Sequence, residues 1–244
     1  MLITPIKTRI LVPPKDNLLK AIQEAVPQIP EHSILAITSK VVSIHEGRCV
    51  SKDKVPQEDT LVIQEAELYI PRGTLKGRNV IHTLAHNMVI PSVGIDTLHD
   101  YHVLWPRNPQ KSAHNLWKWI KKIYKLRNVG VLITDSHSIP LRRGTIGISL
   151  SYYGFQPLHE YQGERSLFGY DLGTGKVANM ADGLAAAATL AIGEGAEQTP
   201  IAIITNVPGI TLSTRKNKTS FHVPLKDDIY WPLLKDLPWK KGRG

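Results

Sequence analysis

The sequence predicts an α+β fold, and two observations support this prediction. Short apolar runs rich in β-branched residues, such as residues 129–134 and 201–204, are typical of buried strands. Between such runs lie segments with helical character, the clearest at about 111–126 and 177–192. With 244 residues, of which 42% are hydrophobic, the chain can form a substantial core, as one large domain or two closely packed ones.

The composition limits the possible partners and compartments. Lys and Arg outnumber Asp and Glu by 30 to 21, and the resulting charge of +9 favours an anionic partner such as a nucleotide, a nucleic acid or a polyglutamate tail. A single cysteine, Cys49, excludes an internal disulfide framework and fits a reducing cytoplasm. No run approaches the roughly 18 apolar residues that cross a bilayer, so we expect a cytoplasmic protein without a membrane span.

Two elements are predicted at the start of the chain. A strand at 6–12 precedes two prolines, and a helix follows at about 16–26. Asp16 can accept hydrogen bonds from the free amides of the first helical turn. Because the apolar residues of this helix fall on one face, we expect one side of it to be buried.

Polar residues interrupt the next apolar run, 33–43, at its centre. Thr38, Ser39 and Lys40 stand between β-branched neighbours. Two interpretations are equally supported. The polar residues form an exposed strand face or a bulge, or Ser39 and Lys40 line a site together with the E-G-R turn at 46–48.

The middle of the chain predicts two helices and two extended segments. One helix runs from Pro56 to about residue 68, and the extended segments occupy 79–96. The second helix, at 111–126, has a lysine-rich face with interspersed aromatic residues. Such a face can rest on nucleic acid, but a solvated surface is the commoner meaning of this pattern.

Two polar positions in this region bear on metal binding. His82 and His86 have the spacing of a helical zinc site, but Thr83 stands where that motif needs its general-base Glu, and the segment is predicted as strand. We therefore predict no zinc site there. Asp96 stands where an apolar extended run ends, although a turn-forming Asp is the better explanation when it is considered alone.

The most informative stretch is 128–154, in which the predicted strand 129–134 gives way to the run D-S-H-S at 135–138. Arg142 and Arg143 follow in the next loop. Carboxylate and hydroxyl oxygens are ligands that suit Mg²⁺ or Mn²⁺, and the guanidinium group matches phosphate oxygens. The stretch therefore suggests a metal and phosphates, although an isolated run of this kind is more often a surface loop with an Asp–Arg pair.

The last third of the chain predicts a helix, a glycine turn, a strand and a tail. The small-residue helix at 177–192 ends in the G-E-G turn at 193–195, and the strand at 201–204 follows. The tail at 211–244 is basic and aromatic, and we expect its K-K-G-R-G end to be frayed.

A glycine pair before Lys176 resembles part of a phosphate-binding P-loop. Gly173 and Gly175 precede this lysine, but Tyr170 stands where the first P-loop glycine belongs, and Val177 offers no hydroxyl for a metal. The segment is therefore not a P-loop.

Five motifs occur in a fixed order across most of residues 31–204. They are ITSKVVSIHEGR (37–48), VGID (93–96), ITDSHSIPLRRGTIGISL (133–150), GFQPLHEYQGERSLFGYDL (154–172) and VANMADGLAAAATLAIGEG (177–195). Together they resemble the coenzyme F420-0:L-glutamate ligases, the gamma-glutamyl ligase family. The resemblance implies that a nucleoside triphosphate, usually GTP, phosphorylates an acceptor carboxylate, and that the amino group of L-glutamate then attacks the acyl phosphate.

The resemblance also implies roles for particular residues. Asp96, Asp135 and Ser136 match ligands of a divalent metal, Mg²⁺ or Mn²⁺, and the two carboxylates would be catalytic together with Arg142. Arg143 and His137 would contact the substrate. The matched nucleotide contacts are Ser39, Lys40, His99, Gly193, Glu194, Gly195, Glu197 and Gln198.

Three departures from the family pattern affect specificity. Ile44 replaces a lysine expected near the nucleotide, and His99 replaces an asparagine. The loop HSIPLR at 137–142 replaces F-G-R-P-W-R and so lacks one Arg and one Trp. We therefore expect a folate acceptor to be used at least as well as the deazaflavin F420-0, and ATP to be tolerated as well as GTP.

The resemblance implies two interleaved subdomains with mixed and antiparallel sheets, and an intertwined homodimer with the site near the subunit interface. The leading function is metal-dependent, nucleotide-driven γ-glutamyl ligation. A non-catalytic protein that binds anions or nucleic acid on the same fold is the alternative from another class. A metal-dependent hydrolase is a third possibility, and nucleic acid remains the less favoured partner.

Overall fold

The computed structural model describes residues 1–76, 79–172, 176–215 and 221–244. The helices found there are α1 (Leu18–Ala25), α2 (Ser39–Glu46), α3 (Glu58–Glu65), α4 (Pro109–Tyr124), α5 (Met180–Ile192) and α6 (Trp231–Leu234). The strands are β1 (Leu2–Ile6), β2 (Ser33–Thr38), β3 (Cys49–Ser51), β4 (Leu68–Ile70), β5 (His82–Ala85), β6 (Met88–Pro91), β7 (Asp96–Leu98), β8 (Tyr101–Val103), β9 (Val129–His137), β10 (Ile146–Tyr153), β11 (Leu158–Glu160), β12 (Val177–Asn179), β13 (Ile201–Thr205) and β14 (Lys240–Lys241). The prediction of an α+β fold is confirmed.

The main sheet has five strands in the order β1-β13-β2-β9-β10. Only β2 and β9 are parallel within this sheet, and the other neighbours are antiparallel. These two central strands are buried on both faces, which explains their near-continuous apolar sequence. None of the helices described here is long and apolar enough to span a membrane.

Two apolar clusters cover the two faces of this sheet. Leu35, Ile37 and Ile133 belong to the larger cluster, to which α1, α2 and α4 contribute. The alternate residues Ala36 and Leu132 belong to the second cluster, which is built largely from the alanine-rich face of α5. The small side chains of α5 let this helix approach the sheet closely.

Three smaller sheets complete the structure, with strand orders β14-β4-β5-β6, β3-β8-β7 and β11-β12. The prediction of a frayed tail is wrong. β14 pairs with β4, and the backbone amides of residues 242–244 donate to carbonyl groups at the end of α3 and just beyond it. Backbone pairing of this kind holds the tail against the chain.

Several predicted boundaries are also wrong. The strand predicted at 6–12 ends at Ile6, and the strand predicted at 33–43 ends at Thr38, where α2 begins. Asn17, not Asp16, caps α1 by accepting a hydrogen bond from the amide of Lys20 at 3.1 Å. The β-branched residues Val41, Val42 and Ile44 pack into the larger apolar cluster from α2, so burial against the core overrides their β-propensity.

The other corrections concern strand ends. Strand β9 continues to His137, so the D-S-H-S run begins inside the strand. Residues 177–179 form β12 before α5 begins, and Asp96 opens β7 instead of ending a strand. The prediction about Gly173 and Gly175 lies outside the described residues.

Candidate active site

The candidate active site lies at one end of the main sheet, where four of its strands begin or end side by side. Because β2 and β9 are parallel, with Thr38 opposite Thr134, the residues after Thr38 lie beside Asp135. β13 runs antiparallel to β2, and β1 runs antiparallel to β13 with Ile6 opposite Ile201. The end of β1 and the start of β13 therefore reach this edge as well. The carboxyl ends of parallel strands are a common place for ligand sites.

A cleft of about 250 Å³ opens at this edge. Its walls come from the residues after β1, the start of α2, the second half of β9 and the turn between α5 and β13. The predicted site residues that line it are Ser39, Lys40, Asp135, Ser136, Gly193, Glu194, Gly195, Glu197 and Gln198. The fold thus brings together three stretches of sequence that were predicted separately.

Two donors hold the carboxylate of Asp135. The indole N–H of Trp105 donates to Oδ2, and the backbone amide of Ser136 donates to Oδ1 at 2.9 Å. Burial and, to a smaller extent, the charge of Asp96 raise the pKa of Asp135 to about 6, against the opposing effects of these two donors and of Lys40. Because Asp135 is partly buried, this carboxylate gains more from a neighbouring cation than a fully solvated carboxylate would.

Lys40 supplies the nearest cation. Its Nζ lies 2.9 Å from Oδ2 of Asp96. Burial acts to lower the pKa of Lys40, but the attraction of Asp96, Asp135 and Glu194 outweighs it and holds the pKa above its usual value. The ammonium group is therefore charged and stands among three carboxylates.

The side chains that line the cleft carry more negative charge than positive charge that is free to bind a ligand. The hydroxyl of Ser136 donates to Oε2 of Glu194 at 3.4 Å, which brings this carboxylate to the end of β9. Among the described residues the cations that line the cleft are Arg9 and Lys40, and Arg9 already forms an ion pair with Asp16 at 2.7 Å. A bound phosphate group would therefore need further positive charge.

Two backbone segments in the cleft can receive an anion. Helix α2 begins at Ser39, and Thr38 forms no side-chain cap, so the amides of the first turn lack a capping oxygen. In the turn after α5, the amide of Gly195 donates to the carboxylate of Glu197 at 2.8 Å. This carboxylate stands in for an anionic ligand and indicates that the turn accepts negative charge.

Two buried hydroxyl groups also line the cleft. Thr134 and Thr189 are 1% and 8% exposed, and their Oγ1 atoms have no hydrogen-bond partner within the part of the chain that the structure describes. A buried hydroxyl without a partner is costly in a folded protein. These two positions therefore mark where polar atoms of a ligand would be received.

The remaining predicted residues lie outside the cleft lining. Asp96 opens β7 and meets the cleft through Lys40. His99 is exposed in the turn between β7 and β8, and His137 is the last residue of β9. Arg142 and Arg143 lie on the exposed loop between β9 and β10.

Sequence reasoning missed three parts of the site. Residues 8–11 line the cleft as a loop, although their apolar character had predicted strand. Trp105 is buried and reaches Asp135, and its carbonyl accepts from Nε of Arg48 at 2.9 Å. Gly94 has a φ of +60°, and a Cβ at this position would lie 2.4 Å from the indole. This glycine therefore leaves the space that the indole occupies, but no sequence spacing links positions 94, 105 and 135.

The fold and the cleft define an α+β protein with an acidic, oxygen-rich site at the edge of a mixed sheet. The sequence profile of the F420-0:Gamma-glutamyl ligase family matches residues 5–206, and the chain belongs to this family. The family predicted from the five motifs is confirmed.

Several relatives carry the name coenzyme F420:L-glutamate ligase. The protein from Methanocaldococcus jannaschii is 32% identical over 210 residues, which cover 77% of this chain and 82% of the relative. The protein from Methanopyrus kandleri is 30% identical over 220 residues, 82% of this chain and 85% of the relative. The protein from Methanococcus maripaludis strain C7 is 30% identical over 198 residues, 74% and 78% of the two chains.

Proposed function

We propose that the protein is a γ-glutamyl ligase that uses a nucleoside triphosphate to join L-glutamate to an acceptor carboxylate. The observation that carries this proposal is the meeting, in one cleft, of Asp135 and Lys40 with two anion-receiving backbone segments. The relatives, which are named as ligases for coenzyme F420 and L-glutamate, support the reaction class.

The nucleotide would occupy the cleft at the sheet edge. The open amides at the start of α2 and the turn at 193–195 suit phosphate oxygens. Lys40 can leave Asp96 for a phosphate, because a lysine on a flexible stem reorients readily. In this proposal Ser39, Gln198 and the unpartnered hydroxyls of Thr134 and Thr189 contact the rest of the nucleotide.

The donors in the cleft suit Mg²⁺ or Mn²⁺. Among the described residues no group of three or more His, Cys, Asp or Glu side chains is arranged to hold a metal. Mg²⁺, however, commonly uses only one or two carboxylates together with water and phosphate oxygens. Asp96, Asp135 and Ser136 would hold the ion, with Glu194 beside them. A bound ion would neutralise charge on the transferring phosphoryl group.

The proposed reaction proceeds in two steps. An oxygen of the acceptor carboxylate attacks the γ-phosphorus, the nucleoside diphosphate leaves, and an acyl phosphate forms. The amino nitrogen of L-glutamate then attacks the acyl carbon and loses a proton, and orthophosphate leaves. Lys40 would offset phosphate charge in the first step. The exposed Arg142 and Arg143 and the partly buried His137 would contact the acidic substrates.

The identity of the acceptor and that of the nucleotide base remain predictions. The names of the relatives favour F420-0. The altered loop at 137–142 and Ile44 favour a wider range of substrates, with tetrahydrofolate accepted besides F420-0 and ATP besides GTP. The reason is that a pocket selects a ring system by its shape and by a few polar contacts. Parallel incubations with the two acceptors and the two nucleotides, analysed by mass spectrometry, distinguish these possibilities. Glutamate added only to F420-0 with strict GTP dependence would contradict the wider choice.

We also propose that the protein acts as a homodimer. Leu167, Phe168 and Tyr170 are 102%, 86% and 74% exposed on one segment between β11 and β12. Large apolar side chains grouped in this way are typical of interaction surfaces. Sedimentation equilibrium should give a dimer for the wild type and a monomer for Phe168→Ser.

The ligase proposal is tested by phosphate release. The wild-type protein, Mg²⁺ or Mn²⁺, a triphosphate, L-glutamate and F420-0 should together release orthophosphate, and omission of any component or addition of EDTA should stop the release. Asp135→Asn and Asp96→Asn should each abolish turnover, because both remove charge from the proposed metal site without removing volume. Lys118→Gln, on the exposed face of α4, is the matched control and should retain activity.

Three other outcomes would point to different functions. Phosphate release that needs no L-glutamate would indicate a hydrolase. No release, combined with tight and salt-resistant binding to one nucleic-acid sequence, would favour the binding protein. Normal turnover of Asp135→Asn would contradict the assignment of the cleft.

A further inference from the structure

A second cleft, of about 320 Å³, lies between the β5–β6 turn, the start of α4 and the edge strand β10. Eight of the ten residues that line it are polar or charged. The cleft shares no lining residue with the one at the sheet edge. It is therefore a separate candidate for a polar ligand.

Two groups that can receive carboxylates line this cleft. The side chains of Arg107 and Asn87 line it, and within the described residues neither forms a hydrogen bond or an ion pair. Helix α4 also begins here, with Asn108, Pro109 and Gln110 in the lining. Asn108 caps the amide of Lys111 at 2.9 Å and Pro109 has no N–H, so the helix acts chiefly through the positive end of its dipole, which adds to the charge of the guanidinium group.

A carboxylate lines the same cleft. Oε1 of Glu67 accepts a hydrogen bond from the backbone amide of His86 at 2.9 Å, which fixes the carboxylate at the β5–β6 turn. The surrounding protein lowers the pKa values of His86 and His222, so both rings are neutral near pH 7. Neutral rings add hydrogen-bonding atoms without repelling a cation. The cleft thus offers two positive features and one negative feature.

The second cleft adjoins the proposed reaction centre. His86 lies in its lining, and its ring centroid is 5.8 Å from that of Trp105, whose indole N–H donates to Asp135. Strand β10 gives a second connection, because Ile148 pairs with Asp135 and Leu150, two residues further along, lines the cleft. His86 and the indole of Trp105 therefore connect this cleft to Asp135, and a ligand held here leaves the first cleft to the nucleotide.

We propose that this second cleft binds the incoming L-glutamate, whose carboxylates are received by Arg107 and the start of α4, and whose ammonium group is received by Glu67. The charge pattern of the cleft matches an amino acid with two carboxylates and one ammonium group. This inference rests on the proposed ligase function, for which L-glutamate is the attacking substrate.

Steady-state kinetics with single substitutions test the assignment. Arg107→Gln and Glu67→Gln should each raise the KM for L-glutamate about tenfold or more, because each removes a charged partner. The KM values for the nucleotide and the acceptor should stay within about twofold, since the first cleft is unchanged. Lys122→Gln, an exposed change in the last turn of the same helix and outside the cleft, should leave all three KM values unchanged.

Glutarate, which lacks the ammonium group, separates the two roles. It should compete with L-glutamate, and Arg107→Gln should weaken its inhibition whereas Glu67→Gln should not. An unchanged KM for L-glutamate in both variants would overturn the proposal, as would an equal rise in all three KM values.

The outcome can be separated from that of the ligase proposal. If the wild type ligates glutamate but neither variant changes the KM for L-glutamate, only the second site is wrong. If the wild type forms no product, calorimetric titration of the whole protein with L-glutamate still tests the cleft. Binding that Arg107→Gln abolishes would support it, and no binding by the wild type would overturn it.

Discussion

Asp135→Asn should stabilise the metal-free protein although it abolishes the proposed activity. The pKa of Asp135 is raised from 3.8 to about 6, mainly by burial. Because the folded state binds the proton more tightly than the unfolded state, stability is highest below the unfolded pKa and falls as the pH rises through about 6. Each pKa unit corresponds to about 1.4 kcal/mol, so the ionised carboxylate costs the folded protein ~3 kcal/mol above that pH.

The asparagine variant removes this cost and keeps the shape. Its amide oxygen can still accept from the indole of Trp105, so the hydrogen bond seen for Asp135 is retained. For a chain of this length, ~3 kcal/mol corresponds to about 6–12 °C in Tm. Urea unfolding in EDTA should therefore show the variant to be more stable at about pH 8, with a difference that narrows toward pH 4 as the wild-type carboxylate becomes protonated.

Asp96→Asn is the matched control. Its side chain is 46% exposed and pairs with Lys40, so the substitution loses an ion pair worth about 0–1 kcal/mol. It also relieves the small repulsion between Asp96 and Asp135, so the net change in stability should be much smaller than that of Asp135→Asn. Equal stability of wild type and Asp135→Asn at both pH values would refute the reasoning about burial. Saturating Mn²⁺ should make the wild type more stable than Asp135→Asn, because only the wild type would then be stabilised by metal binding.

Three further predictions concern the surroundings of this carboxylate and the start of the chain. Trp105→Phe removes the indole donor and should lower the free energy of unfolding in urea by about 2–3 kcal/mol. Gly94→Ala places a Cβ 2.4 Å from the same indole at a φ of +60° and should lower the free energy of unfolding by ~3 kcal/mol. Gly73→Ala, with a φ of +78° and no atom within 4 Å, is the control and should lower it by only about 1–2 kcal/mol. Equal losses of stability in the two variants would contradict the clash at Gly94. A hydrogen bond from Arg9 lowers the pKa of Asp16, so the wild type should exceed Asp16→Asn in stability near neutral pH, and calorimetric scans should show this advantage shrinking between about pH 5 and pH 2.

The sequence predicted the elements of the central sheet better than their boundaries. The apolar runs at 33–43, 129–134 and 201–204 each contain a strand that is buried on both faces, where hydrophobicity decides the structure. The strand predicted at 6–12 was wrong because apolar residues there line a cleft instead of a sheet. Periodicity reports which residues avoid water, but does not report which surface covers them.

Much of the candidate site was visible in the sequence as separate polar runs. Ser39 and Lys40, the residues at 135–136 and the turn at 193–198 were each singled out, because polar groups after apolar runs need partners. The parallel pairing of β2 with β9 brings two of these runs together, and the antiparallel pairing of β13 with β2 brings the third. The pairing of β2 with β9 brings together residues that are about a hundred positions apart in the sequence, and no local sequence pattern encodes that contact.

The sequence by itself determined the α+β class, the buried strands and, through five ordered motifs, the family. Only the tertiary structure decided that Trp105 holds Asp135, that Lys40 stands among three carboxylates, and that a second polar cleft adjoins them. Local features follow from side-chain chemistry and spacing along the chain. Burial, pKa shifts and shared clefts arise instead from contacts between distant segments, which exist only after the strands have paired.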